Sequence, residues 1–156
     1  MDASALAKAY LDEDGTQSMR GVLAAQRQVL FISDFVVLEV CTTIRNRLRT
    51  AEKRTFTAAL EGFQADRARL NLVDVSPAVR SEAMLMTTTH RSARARSMDV
   101  LHVATALQLR RDAARLGMEV TIVTSDRNLA DLARDCGLRT FDPSREPLAV
   151  LPRAPR

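Results

Sequence analysis

VTIVTSD at residues 120–126, followed by RNLADLARDCG at residues 127–137, is the stretch that decides the fold class of this chain. The first five residues are all β-branched, which is typical of a strand that is buried on both faces. The next stretch is amphipathic and stops at a glycine, which predicts a short helix. LRTF at residues 138–141 then predicts a last strand. A strand, a helix and another strand in this order predict an α/β fold around a parallel sheet.

The rest of the chain continues this alternation. VLFIS at residues 29–33 and NLVDV at residues 71–75 have the apolar character of further strands. Ser33 and Asp34 are good cap residues for the helix that follows, and Pro77 is typical of a first helical turn. Helices are predicted over residues 3–14, about 17–28, 35–49 and about 51–70, from Pro77 onward, and over 98–117, with Ser97 as the cap of the last one and Gly117 as its end.

Length and composition predict one ordinary globular domain. The chain has 156 residues, of which 46% are hydrophobic and 27% are charged. No apolar run approaches the ~18 residues of a membrane span, and the first ten residues lack the features of a signal peptide. We therefore expect a cytoplasmic protein with no membrane partner. One domain is predicted over residues 1–143, followed by an irregular, proline-rich tail over residues 144–156.

The charge of the chain is positive and is carried almost entirely by arginine. The net charge is +4, from 23 basic and 19 acidic residues, and only Lys8 and Lys53 are lysines. Arginine favours a polyanionic partner, although an Arg- and Ala-rich composition is also typical of a GC-rich genome. Two clusters are either solvated faces or phosphate contacts: Arg45, Arg47 and Arg49, and Arg91, Arg94 and Arg96. The absence of Trp and the single Tyr argue against a base-stacking platform.

Four carboxylates lie within apolar segments, where a charged group is hard to justify. They are Asp2, Glu39, Asp99 and Asp126. A carboxylate that is buried without a partner costs several kcal/mol, so a shared cation is the simplest explanation for all four.

Two of the acids also have a local explanation. Asp126 could cap the helix that begins after it, and Asp99 could complement the macrodipole in a first helical turn. Glu39 is the hardest to place on a surface, because it is the only carboxylate of FVVLEVCTTI at residues 35–44. His102 is interpreted as a satisfied helix histidine in preference to a general base, and Asp131 is placed outside the site.

Four segments together resemble the PIN domain family, and especially its VapC-type ribonuclease toxins. They are DASALAKAYLDE, VLEVCTTI, MDVLHVATAL and VTSD, in this order and with these gaps. The resemblance implies a three-layer α/β/α sandwich with a central parallel sheet, and metal-dependent endonucleolytic cleavage of RNA. It places the catalytic and metal-binding quartet on Asp2, Glu39, Asp99 and Asp126. Ser4 and Thr124 match the small hydroxyl residues that support the acids or the metal-bound water.

The implied chemistry agrees with the residue types. Mg²⁺ or Mn²⁺ prefers oxygen ligands, and one or two such ions polarise a phosphate and activate a water molecule. The resemblance also implies a cognate VapB-type antitoxin and a homodimer. The alternative is a non-catalytic PIN-like module that binds RNA or protein through its arginine clusters. Such a module has no need of the full acidic quartet, and this difference separates the two hypotheses.

The first strand departs from the family pattern. In that pattern several apolar residues precede the first acid and form a central strand, whereas only Met1 precedes Asp2 here. We therefore expect this strand to be truncated or a stub. Loss of a central strand removes ladder hydrogen bonds from its neighbours, so we also expect the natural start to lie upstream of Met1.

Overall fold

The computed structural model of the protein describes residues 1–25, 28–90 and 93–151. Helices and short strands alternate along the chain as predicted. The helices are α1 (Ala3–Leu6), α2 (Thr16–Ala24), α3 (Asp34–Arg47), α4 (Lys53–Arg67), α5 (Pro77–Thr89), α6 (Ser97–Ala114) and α7 (Arg127–Asp135). The strands are β1 (Phe31–Ser33), β2 (Asn71–Val73), β3 (Thr121–Val123) and β4 (Arg139–Phe141), and 3-10 turns occur at Ala7–Tyr10 and Leu148–Val150.

The four strands form two parallel pairs. Ile32 of β1 is in register with Leu72 of β2, and Ile122 of β3 is in register with Thr140 of β4. Each pair is connected through helices, as parallel strands require.

Met1 and Asp2 lie between the two pairs, and we call these two residues the N-terminal stub. The ammonium group of Met1 donates a hydrogen bond of 2.8 Å to the carbonyl oxygen of Phe31. The backbone N–H of Asp2 donates one of 3.1 Å to the carbonyl oxygen of Val123. The backbone of Asp2 is extended, with φ −101° and ψ 172°. The predicted stub of a first strand is therefore present, and it sits between β1 and β3.

Two hydrophobic clusters cover opposite faces of this sheet. One contains buried residues of α1 to α4 together with Val123 and Phe141. The other contains buried residues of α5, α6 and α7 together with Ile122. Adjacent residues of β3 thus point into different cores, which is the period-2 alternation of a strand covered on both faces. The predicted three-layer α/β/α sandwich is confirmed.

The starts of two helices differ from the sequence prediction. Arg96 occupies the N-cap position of α6, and Ser97 is its first helical residue rather than its cap. Asp99 supplies the side-chain bond at this end, because its Oδ2 atom accepts a hydrogen bond of 2.7 Å from the backbone N–H of Arg96. Ser33 does occupy the N-cap position of α3, but its hydroxyl makes no capping bond. A cap prediction from residue type alone misses side chains that reach back from the first turn.

Several predicted ends also differ. The helix predicted over residues 3–14 is the short α1 followed by a 3-10 turn, and the one predicted to end at Gly117 ends at Ala114. Residues 26 and 27 of the predicted helix over 17–28 lie outside the described residues, and so do residues 152–156 of the predicted tail. The described part of the tail is not free, since Leu151 packs against the first hydrophobic cluster. None of the helices in the described ranges is long and apolar enough to cross a membrane.

Candidate functional site

The four predicted acids lie on elements that meet at the carboxyl ends of the strands. Asp2 belongs to the stub, and Asp126 follows β3 as the N-cap residue of α7. Glu39 lies in α3, which begins directly after β1, and Asp99 lies in the first turn of α6. In open parallel sheets, ligands bind outside the carboxyl ends of the strands. The acids are therefore at the edge where this fold forms sites.

Asp2 is buried and has a full set of local hydrogen bonds. Its Oδ1 atom accepts bonds from the Ser4 hydroxyl at 3.0 Å and from the Ala5 N–H at 3.3 Å, and its Oδ2 atom accepts one from the Ser4 N–H at 3.2 Å. Burial raises the pKa of this carboxyl, and the bonds from Ser4 partly oppose the rise. Asp2 thus caps α1. The negative charge of its buried carboxylate is unfavourable unless a cation lies nearby.

Ser4 and Thr124 connect the surroundings of Asp2 to those of Asp126. The Ser4 hydroxyl donates to Asp2, so in the 3.3 Å contact between the two hydroxyls the proton comes from Thr124. The Ser4 Oγ atom also accepts a bond of 2.9 Å from the N–H of Ser125, and the Thr124 Oγ1 atom accepts one of 3.0 Å from the N–H of Asp126. These two hydroxyls therefore fix the stub to the loop after β3.

Asp99 and Asp126 form a second pair. Asp99 is buried, and burial raises the pKa of its carboxyl, with a further rise from the nearby negative charge of Asp126. The Oδ1 atom of Asp126 accepts bonds from the N–H groups of Asn128 at 2.8 Å and Leu129 at 3.2 Å. The capping role considered for Asp126 is therefore real, and it coexists with a position beside Asp99.

His102 is the residue around which three of the acids meet. Its Nε2 atom lies 2.8 Å from the Oε2 atom of Glu39, and its side chain is only 9% exposed. Positive charge on His102 also lowers the pKa of Asp2 and of Asp99, against the larger upward effect of burial. Its interpretation as a satisfied helix histidine is incomplete, because its partner is a member of the predicted quartet. Sequence spacing could have indicated this role. His102 follows Asp99 by three residues, and side chains three apart on a helix lie on the same face.

The donor set suits a hard divalent cation, because all four predicted ligands are carboxylates. As the side chains stand, no three His, Cys, Asp or Glu residues in the described part of the chain are grouped closely enough to hold an ion. Glu39 bonds to His102 instead. The oxygen donors and the burial of Asp2 and Asp99 thus fit a metal site. The positions of the side chains differ from those of a closed ligand set, because the acids surround His102.

The arginine clusters differ in their relation to this site. Arg96 is exposed at the start of α6, and its charge lowers the pKa of Asp99, although burial dominates. In the other cluster, the Nη2 atom of Arg47 lies 3.9 Å from the Oε2 atom of Glu13, which is not one of the four acids. Arg91 lies outside the described residues. Asp131 is exposed and paired with Arg134, which agrees with its predicted place outside the site.

Comparison with known proteins adds one finding. The sequence model of the PIN domain family matches residues 1–135, which include the stub, all four acids and the whole of α7. A search among curated proteins finds no match to this chain.

Proposed function

Because the chain belongs to the PIN domain family, whose members are generally nucleases, we propose that it is a divalent-metal-dependent endoribonuclease and the toxin of a toxin–antitoxin pair. The observation that carries the proposal is the burial of two carboxylates, Asp2 and Asp99, at the ligand-binding edge of the sheet. Burial raises the pKa of both carboxyl groups, so a cation that neutralises them would stabilise the fold. Capping of α1 and α6 accounts for the hydrogen bonds of Asp2 and Asp99, but an asparagine could make the same bonds without a buried charge.

The residues that would hold the metal are Asp2, Glu39, Asp99 and Asp126. A bound Mg²⁺ or Mn²⁺ ion supplies polarisation of the scissile phosphate and a more acidic water. The chain itself fixes the ligands: Ser4 holds Asp2, the backbone N–H of Arg96 holds Asp99, and the first turn of α7 holds Asp126. The exposed guanidinium of Arg96 beside Asp99 favours the approach of a polyanion.

The proposal is tested by cleavage of a labelled RNA with and without metal. We expect purified protein to cut a circular RNA in millimolar Mg²⁺ or Mn²⁺, to stop in EDTA, and to resume when the ion is restored. A circular substrate has no ends, so cutting it demonstrates an endonuclease. Cleavage that persists in EDTA after exhaustive dialysis would exclude the metal-dependent mechanism.

His102 is proposed to position Glu39. Replacement His102→Ala removes the 2.8 Å contact to the Glu39 carboxylate. Loss of a partner that orients a metal ligand typically costs about 10–100-fold in metal affinity or activity. We expect the Mn²⁺ concentration for half-maximal cleavage to rise by about this factor, and His102→Gln, which retains a donor, to recover part of it. An unchanged half-maximal concentration in a folded His102→Ala variant would refute the positioning role.

The proposed partners are a VapB-type antitoxin and a second copy of the chain. Support comes from apolar side chains on the surface: Phe35 and Leu38 on α3 are 41% and 68% exposed, and Met84 and Leu85 on α5 are 72% and 63% exposed. Exposed apolar pairs on helices are typical of protein interfaces. The α3 pair lies on the helix that carries Glu39, so a partner bound there would sit beside the site.

One observation favours the alternative function, a non-catalytic module that binds RNA or protein. In the described ranges the acids do not form a closed group of metal ligands. Such a module would bind RNA equally well with and without the charge of Asp99, whereas a nuclease requires that charge for cleavage.

A further inference from the structure

A fifth acid, Asp142, lies at the same edge of the sheet as the four predicted acids. It directly follows Phe141, the last residue of β4. Because β3 and β4 are parallel, their carboxyl ends meet, and the backbone N–H of Thr124 donates a hydrogen bond of 2.9 Å to the carbonyl oxygen of Phe141. The side chain of Asp142 is only 21% exposed. Asp142 lies beyond residues 1–135, so the family match assigns it no role.

Asp142 accepts a hydrogen bond from the residue directly before Asp126. The Ser125 hydroxyl donates a bond of 2.8 Å to the Oδ1 atom of Asp142. The backbone N–H of Ser125 donates another, of 2.9 Å, to the Oγ atom of Ser4, whose hydroxyl bonds to Asp2. Ser125 is thus held by two distant parts of the chain, the first turn of α1 and the loop after β4.

The carboxylate of Asp142 is itself held by the loop that it begins. Its Oδ1 atom also accepts a bond of 2.9 Å from the backbone N–H of Ser144, and its Oδ2 atom lies 3.4 Å from the Nε atom of Arg145. The backbone N–H of Asp142 donates a bond of 2.7 Å to the Oε2 atom of Glu146. Both oxygens of Asp142 thus have partners within the protein, so it acts on the site through Ser125 and not as a further metal ligand.

The loop after β4 is anchored to the segment that precedes α2. The Ser144 hydroxyl donates a hydrogen bond of 3.1 Å to the carbonyl oxygen of Asp14. Gly15 lies so close to the loop that a Cβ atom there would meet the carbonyl carbon of Pro143 at 3.0 Å. Such close packing leaves the loop little room to shift. The oxygen that accepts the Ser125 hydroxyl bond therefore has a defined position.

The segment that Asp142 holds is the one that orients Asp126. The backbone N–H of Asp126 donates a bond of 3.0 Å to the Thr124 hydroxyl, and its carboxylate caps α7. Asp126 lies near enough to Asp99 for its charge to raise the pKa of the Asp99 carboxyl. Ser125 lies between these fixed points, and a change in its backbone would move the Asp126 side chain.

We propose that Asp142 is a positioning residue, which keeps Asp126 beside Asp99 through the hydroxyl of Ser125. The consequence for metal binding rests on the proposed function, whereas the effect on the loop does not. Loss of a partner that orients a metal ligand typically costs about 10–100-fold in metal affinity or activity. The site then depends on β4 and on the loop after it, to which none of the four acids belongs.

The experiment measures Mn²⁺ affinity directly, from the electron paramagnetic resonance signal of the free ion. Asp142→Ala removes the acceptor, and we expect it to weaken Mn²⁺ binding by about 10-fold or more. Asp142→Asn retains an oxygen for the Ser125 hydroxyl and should recover most of the affinity. Ser125→Ala removes the same bond from the other side. The double variant Asp142→Ala/Ser125→Ala should bind no more weakly than the weaker single variant, because all three lack one and the same bond.

A second readout needs no metal. In EDTA, Asp142→Ala and Ser125→Ala should each speed amide hydrogen exchange at Asp126 and Asn128 by about 10-fold, the size expected for loss of one hydrogen bond to a charged group. The matched control is Glu119→Ala, which removes an exposed acid that pairs with Arg139 at the opposite end of β3 and β4. We expect it to change neither the Mn²⁺ affinity nor the exchange rates.

The other outcomes count against the proposal. Equal Mn²⁺ affinity in the wild type and in folded Asp142→Ala would overturn it, and Ser125→Ala carries the same test if Asp142→Ala does not fold. A loss that Asp142→Asn fails to recover would also overturn it, since the charge and not the bond to Ser125 would then matter. A lower Tm in EDTA with unchanged Mn²⁺ affinity and exchange would leave Asp142 a purely structural role. If the wild type binds no Mn²⁺, the proposed function fails, and the exchange rates in EDTA alone decide whether Asp142 holds the loop.

Discussion

Replacement of Asp99 by Asn is expected to lower the rate of metal-dependent RNA cleavage by about 10²-fold or more while leaving the fold intact. Loss of one preorganised electrostatic group in an active site typically costs about 10²–10³-fold in rate. Asp99 is buried at the proposed metal site, and Asn cannot supply the negative charge that a divalent cation prefers in a ligand. The measurement is the initial cleavage rate of a labelled RNA in saturating Mn²⁺.

The variant should still fold because Asn retains a side-chain oxygen that can accept the hydrogen bond made by Asp99 at the start of α6. The Oδ2 atom accepts a hydrogen bond from the backbone N–H of Arg96, and an amide oxygen accepts the same bond. Burial raises the pKa of the Asp99 carboxyl, so removal of the charge relieves an unfavourable burial. We therefore expect a Tm in EDTA that is equal to or higher than that of the wild type.

The matched control is Asp112→Asn, which removes an exposed carboxylate from the same helix, α6. We expect wild-type levels of cleavage from it. Induced expression in bacterial cells gives a second measurement: the wild type and Asp112→Asn should arrest growth, and Asp99→Asn should not. If Asp99→Asn cleaves RNA as fast as the wild type, the catalytic assignment is wrong. If neither form cleaves and both bind RNA equally, the non-catalytic module is the better description.

Addition of Mn²⁺ to the metal-free protein is expected to raise Tm by about 5–10 °C. A ligand at 100 times its Kd stabilises the folded state by about 2.7 kcal/mol, and 1 kcal/mol corresponds to roughly 2–4 °C in a chain of this size. The physical source is the neutralisation of Asp2 and Asp99, since burial raises the pKa of each carboxyl without a metal. The measurement is thermal unfolding in EDTA and in millimolar Mn²⁺ at matched ionic strength.

The control for this shift is the double variant Asp99→Asn/Asp126→Asn. Asn at residue 126 retains an oxygen for the N–H groups of Asn128 and Leu129, so α7 stays capped. We expect its Tm to be insensitive to Mn²⁺. A folded wild-type sample that shows no rise in Tm would count heavily against a metal site at these acids. A rise of equal size in the double variant would locate the bound ion elsewhere.

The alternation of strands and helices could be predicted because it depends on local patterns. VTIVT contains β3, and the Ser76-Pro77 start of α5 is found with the Ser76 hydroxyl accepting a bond from Val79. The segment over residues 3–14 was less predictable. Lys8 reaches Glu13 and the carbonyl oxygen of Asp14, which turns the chain after the 3-10 turn. This change in chain direction depends on side-chain contacts that helical periodicity does not encode.

The candidate site was predictable in its members and not in its geometry. Acids within apolar segments are conspicuous in a sequence, because burial of a charge is costly. The contact between Glu39 and His102 joins residues 63 positions apart on two helices. Periodicity assigns each residue to a face of its own helix, but it does not state which faces meet. The same limit applies to the N-terminal stub, whose two hydrogen-bond partners, Phe31 and Val123, belong to different strand pairs.

The bridge between Ser4 and Thr124 has a consequence for synthesis on the ribosome. These residues are 120 positions apart, and a ribosome adds about 5–20 residues per second, so roughly 6–24 s separate them. Asp2 and Glu39 are translated well before Asp99 and Asp126. A nascent chain thus exposes half of the acidic quartet without the other half, and the complete arrangement first exists after α7 has been made.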